Sequence, residues 1–239
     1  MPLPASRAER RVPPAPRFGS AVREAGLDLY YHSVRLVPAN VLWGVSLVGV
    51  AYVVSRDLVF APLLVVMVPL TMGLMGMATT LVRSRRLFWS DAVDAVRPRF
   101  WSQLGIGIAQ LVLIAVAAAD VLIGLQLPGL VGPVVVIGGI YTLAAIWLLA
   151  VTTWPLLLDP ERRRDRIRPR LRLGFLLAVA HPLRMGAAAA SLGVLLAVST
   201  VLAAALVTVS GALAMLIAAH YVLPAADRLE GRATLEVGD

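Results

Sequence analysis

The feature that most constrains this chain is the stretch 185–219, which runs for 35 positions without a charged side chain. A straight helix of that length is about 52 Å long, against a hydrocarbon core of about 30 Å. The stretch therefore predicts two crossings, 185–206 and 208–223, with a turn near Thr208–Gly211, where Ser210-Gly211 favours a break. Four further apolar runs precede it, at 36–54, 58–82, 104–127 and 130–158. Each is near the roughly 20 residues that one crossing requires. Composition agrees: 59% of residues are hydrophobic, 15% are charged and the mean hydropathy is +0.82. Soluble domains carry about 25% charged residues, and disordered chains are poor in Leu, Ile and Val, so both classes are excluded. The expectation is an all-α polytopic membrane protein with six transmembrane helices. It comprises a Pro/Arg-rich tail over 1–30, a membrane domain over 31–226 and a C-terminal tail over 227–239.

All 22 basic residues are arginine, and the formal net charge is +8. Six crossings place 21 of these arginines in four segments on one side and leave Arg56 alone on the other. The positive-inside rule then puts both termini, 83–103 and 159–184 in the cytoplasm. A five-crossing alternative would strand Arg228 and Arg232 outside. Arginines confined to short segments between apolar runs do not make the solvated basic face that binds nucleic acid. The tail over 1–30 lacks the apolar core of a signal peptide, and 19–34 is expected to form a short helix leading into the first crossing. With no Cys and three scattered His, no disulfide or metal cluster is expected.

Two of the arginine-bearing segments read as cytoplasmic amphipathic helices lying at the interface, the alternative being solvated basic loops. In 88–101, Trp89, Val93, Val96 and Phe100 recur at helical spacing; in 162–178, Ile167, Leu171, Phe175 and Ala178 do the same among seven arginines. Candidate contacts to anionic lipid headgroups or a partner are Trp89, Asp91, Phe100, Trp101, Arg168, Arg170, Arg172, His181 and Arg184. Arg97-Pro98-Arg99 and Arg168-Pro169-Arg170 sit in matching contexts, which admits an internal duplication or chance.

Polar groups inside the crossings are the intramembrane candidates. Asp120 is the one formal charge within the first four runs, either a ligand or proton site or an interfacial acid near the outer surface. Asn40, close to Trp43, suits a hydrogen bond to a neighbouring helix. Pro69, Thr71 and Gly73, with Gly76 beyond, combine a kink with small residues; they serve close helix packing or open carbonyls to a substrate. Asn40, Gln110 and Asp120 together could line a polar route. Neither a phosphate loop nor a hydrolytic constellation can be assembled, so no enzyme and no cofactor are expected.

Four motifs, taken in order, resemble the YesL-like family of bacterial integral membrane proteins. They are Asn40-Val41-Leu42-Trp43, Pro69-Leu70-Thr71-Met72-Gly73, Phe88-Trp89-Ser90-Asp91 with Phe100-Trp101 and the later Asp120, and Pro182-Leu183. The likeness covers about residues 30–230. It implies a six-span plasma-membrane protein, commonly encoded beside ABC-type sugar importers, and hence a non-enzymatic accessory role with transporter subunits as partners. The alternative is a small-solute transporter or channel in its own right. The chain departs from the family in its low aromatic content, 6%.

Overall fold

A computed structural model describes residues 17–202 and 205–231; the expectations for the tail before Arg17 and for 232–239 lie outside them. Among the described residues there is no strand. Nine helices are labelled here in chain order. They are α1 (Phe18–Tyr31), α2 (Ser33–Arg56), α3 (Leu64–Ser84), α4 (Ser90–Val96), α5 (Phe100–Gly124), α6 (Val131–Leu158), α7 (Ile167–Ala180), α8 (Pro182–Val201) and α9 (Gly211–Glu230). Six stretches are long and apolar enough to cross a membrane, so the protein is an all-α polytopic chain.

The crossings alternate in direction, so the ends of α3, α6 and α9 meet the starts of α2, α5 and α8 at one end of the bundle. That end also carries α1, α4 and α7, and is called the arginine-rich end below. Asp57 accepts from Val59 N at 2.9 Å and starts the short helix Leu58–Leu63 that returns the chain after α2. Gly129, at φ +71°, occupies the left-handed region in the turn after α5, where a side chain would be strained.

α9 is the central element. Its apolar window is 83% buried, against 11% for the α5 crossing and 17% for α6. Small residues explain why this helix sits in the middle: Gly211, Ala212, Ala214, Ala218, Ala219, Ala225 and Ala226 allow α1, α2, α3 and α6 to close on it. The outer helices keep apolar side chains turned outward, among them Leu42, Leu122, Ile137 and Val194. Such a surface suits hydrocarbon and not water.

The predicted crossings are matched in number and shifted in extent. The fifth ends at Val201, five residues before the expected 206, and the sixth opens in a π-helical turn over Leu206–Ser210. A π turn offsets the backbone ladder and frees polar groups. Asn40 on α2 takes them up, donating through Nδ2 to the Val207 carbonyl at 2.8 Å and accepting from Ala212 N at 2.6 Å. Gly211 is required there, since a Cβ would lie 2.6 Å from Asn40 Oδ1 and 2.8 Å from the Trp43 ring. The far end of this crossing is also longer than expected: α9 continues to Glu230, and Asp227, expected to open a tail, is buried.

The two amphipathic segments are helical but pack differently from their predicted stripes. α4 lies on α3 through Ala92 and Ala95, against Gly73 and Gly76. A Cβ on Gly76 would come within 2.2 Å of Ala95 Cβ, so only glycine admits this approach. Trp89 and Val93 then remain exposed, and with Val96 and Phe100 they border an apolar groove shared with Pro38, Leu42 and Pro69. α7 packs on α6 through Arg170, Leu173, Gly174 and Leu177; of the predicted Ile167, Leu171, Phe175 and Ala178 stripe only Ala178 is buried, and Phe175 is 54% exposed. The displacement follows from the helix being folded against a neighbour, where a small residue, Gly174, fits beside Thr153.

Candidate functional site

Three helices finish at the arginine-rich end with an ionisable residue directly after, or within, the last apolar turn: Arg83 in α3, Asp159 after α6 and Asp227 in α9. Packing brings them together with Arg162 into one network. Arg83 holds Asp159 bidentately, Nε to Oδ1 at 3.1 Å and Nη2 to Oδ2 at 2.7 Å, and reaches Asp227 at 2.6 and 3.1 Å. Arg162 contacts Asp159 as well, and binds Asp227 at 2.6 Å and Glu230 at 2.8 Å. Glu161 adds a contact to Arg83 at 3.3 Å from the exposed rim. The core is dry, with side chains of Arg162 at 1%, Asp159 at 0% and Asp227 at 4% exposure. Burial disfavours the charge on Arg162, yet Asp159, Glu230 and Asp227 hold its guanidinium above the usual arginine range.

Beside the network, the last carbonyls of α6 are capped by three separate elements. Thr79 donates to Leu158 O at 3.0 Å, Gln103 to Leu157 O at 3.2 Å and Arg170 to Leu157 O at 2.8 Å. Helix C-termini leave these carbonyls without intrahelical donors. Arg170, expected at the lipid interface, is thus a buried structural residue at 3% exposure, because a carbonyl cluster inside the fold needs a fixed donor. Burial and the nearby Arg99 push it below the usual arginine range.

A second polar group joins α1 to α9. His220 presents Nε2 to Asp28 Oδ2 at 2.8 Å and Nδ1 to Glu24 Oε2 at 3.2 Å, with Arg85 at 3.4 Å from Asp28. A carboxylate therefore faces each ring nitrogen of His220. Burial opposes the charge on Asp28, but the hydrogen bond and charge of His220, then Arg85, hold its carboxyl below the usual range.

Within the crossings, a cavity of about 250 Å³ lies among α2, α3, α5, α6, α8 and α9. Three indole rings, Trp43, Trp147 and Trp154, face it, with Met and Leu side chains between them. Its polar atoms are largely engaged. Trp43 Nε1 donates to Thr71 Oγ1 at 2.9 Å, Trp154 Nε1 to Gln110 Oε1 at 2.8 Å and Trp147 Nε1 to Ala189 O at 2.7 Å.

The candidates named from sequence therefore separate into groups. Trp43 and Thr71 meet at the cavity; Asn40 is fully buried and holds the π turn; Pro69 and Gly73 line the groove beside α4. Asp120 is exposed on α5, apart from Asn40 and outside the cavity that Gln110 lines, so the three do not form one route. Asp91 accepts from Phe88 N at 2.6 Å and starts α4, while Trp89 and Trp101 are exposed at 54% and 80% and Phe100 is half-buried. Arg168, Arg172, His181 and Arg184 are exposed. Sequence reasoning missed Arg83, Asp159, Arg162, Asp227 and Glu230. The available signal was an ionisable residue flush with the apolar run at three successive helix ends on the arginine-rich side.

Compared with protein-family models, with curated proteins and with solved structures, the chain matches none.

Proposed function

We propose that the protein is a non-enzymatic accessory component of the bacterial plasma membrane, oriented with both termini in the cytoplasm and serving ABC-type carbohydrate uptake. The observation that carries this reading is the engagement of the polar groups around the cavity and the π turn. Thr71 and Gln110 each accept from an indole, Asn40 is consumed by a backbone turn, and Arg83 and Arg162 are paired with Asp159 and Asp227. A sugar or an ion crossing the bundle needs donors and acceptors left open to replace its hydration. What the fold offers outward is a rigid end, tied by the ion network, with the exposed side chains of α4 and α7 displayed on it. The motif resemblance noted above supplies the association with sugar importers. Capture of the tagged protein from native membranes should co-purify transporter subunits, and deletion should lower sugar uptake. Clean capture without such subunits, together with unchanged uptake, would remove the proposal. Reporter fusions should place 159–184 inside.

The cavity favours a second reading, a carrier for a small solute. An indole-lined space of about 250 Å³ suits an apolar or ring-bearing molecule better than a polar one. Flux of such a compound into proteoliposomes supports this reading, and a tight bilayer under an imposed gradient removes it.

A further inference from the structure

A separate pocket of about 260 Å³ opens at the arginine-rich end between the start of α8 and the second half of α9. Its polar lining is His181 and Arg184 from the α8 side, with Tyr221 and Arg228 from α9; none of its lining residues is acidic. The reason lies on the opposite face of α9. Asp227 and Glu230, the acids nearest to Arg228 in sequence, are turned away and bound to Arg162 at 2.6 and 2.8 Å. Among the described residues, neither Arg184 nor Arg228 makes an ion pair with a carboxylate. Tyr221 is 5% exposed, its ring set edge-on to Phe18 at 5.8 Å, and its hydroxyl has no hydrogen-bond partner among the described residues. The hydroxyl oxygen is not among the buried unpartnered polar atoms, so it is the part of the residue open to the pocket. His181 stands at the N-terminal cap of α8 without a side-chain cap hydrogen bond, so the positive end of a 20-residue helix is uncapped beside the same space.

We propose that this pocket binds a phosphate group, the two guanidiniums taking its charge and the Tyr221 hydroxyl donating to one of its oxygens. Arginine forks match phosphate oxygens in geometry as well as charge. The surroundings favour a phosphate carried on a lipid. Leu183, one residue from Arg184, is 87% exposed, and Leu229 beside Arg228 is 44% exposed, so apolar surface for acyl chains borders the pocket. An anionic phospholipid with its headgroup in the pocket and its chains along α8 satisfies both. This site does not depend on a role in carbohydrate uptake.

The test uses the full-length protein in a non-ionic detergent, titrated with phosphatidylglycerol, phosphatidylcholine or inorganic phosphate and read by native mass spectrometry. The pocket variant is Arg184→Gln with Arg228→Gln; Tyr221→Phe removes only the hydroxyl. The charge-matched control is Arg23→Gln with Arg86→Gln, both exposed and outside the pocket. Phosphatidylglycerol should bind in preference to phosphatidylcholine, and the pocket variant should weaken it roughly tenfold or more, in keeping with the loss of charge-assisted hydrogen bonds. Tyr221→Phe should weaken it less, and the control should leave it unchanged. If inorganic phosphate shows that dependence on the pocket variants while phosphatidylglycerol does not, the phosphate site stands and its lipid source is overturned. Equal loss in the control and pocket variants, or no loss in either, overturns the site. All exchanged arginines are exposed, so thermal stability should match wild type and a binding change is not a folding change.

Discussion

Asp159→Asn is the most informative single perturbation of the fold. The wild-type carboxylate is wholly buried, accepts twice from Arg83 and once from Arg162, and also accepts from Glu161 N at 3.1 Å to start the turn after α6. The amide keeps the volume but removes the charge, and its NH2 end cannot accept from a guanidinium. Two buried arginines are then left with Asp227, Glu230 and the half-exposed Glu161. Removing one partner of a buried pair costs about 3–5 kcal/mol, because the remaining charge stays desolvated. At about 2–4 °C per kcal/mol, Tm should fall on the order of 10 °C, read by thermal unfolding of the purified protein in detergent. Two comparisons isolate the cause. Asp120→Asn removes an exposed acid and should leave Tm unchanged. In a double-mutant cycle, Arg83→Met with Asp159→Asn should be less destabilised than the sum of the single changes, since the second change removes a charge the first has stranded. A Tm for Asp159→Asn equal to that of wild type would refute the reasoning. Strict additivity in the cycle would do the same, because it would show that the two groups do not interact.

Asn40→Ala should destabilise by about 1–3 kcal/mol, as the Ala212 N–H and the Val207 carbonyl lose their partner inside the bundle; denaturant titration measures it. Gly76→Ala forces a Cβ against Ala95 and should cost about 1–3 kcal/mol, with Ala95→Gly on the same chain restoring most of the loss in Tm. The Asp28–His220 contact should show in the pH profile. A carboxyl held below its usual range adds stability above that range and loses it as pH falls through the lowered value. The Tm gap between wild type and Asp28→Asn should therefore be full near neutral pH and close only below about pH 4. A gap that stays constant down to that pH would contradict the pairing.

Asn40, Trp43 and Thr71 were legible in the sequence, whereas the ion network was not. Asn40 and Trp43 stood out because a carboxamide and an indole in an apolar run need partners, and both have them. Asp120 stood out for the same reason, yet it projects from the bundle, since distance along a helix does not reveal which face meets a neighbour. Arg170 was assigned to the interface, as a lipid or partner contact, from the helical spacing of its segment; the chain buries it because the α6 carbonyls lacked donors. The phosphate pocket draws on Arg184 and Arg228, far apart along the chain, and only His181 and Arg184 were singled out beforehand.

The number of crossings and their all-helical character follow from local rules: hydrocarbon leaves an unpaired peptide group nowhere to go, and twenty apolar residues are enough for one passage. Those rules act on each segment separately and need no neighbour. Which helix lies at the centre is a matter of how closely surfaces can approach, and the alanines and glycines of α9 settle it only once the others close around it. The joining of Arg83, Asp159, Arg162 and Asp227 has the same origin. Ionic contacts fall off steeply with distance and grow as water leaves, so charges far apart along the chain become one network only after packing has brought three helix ends into a dry space.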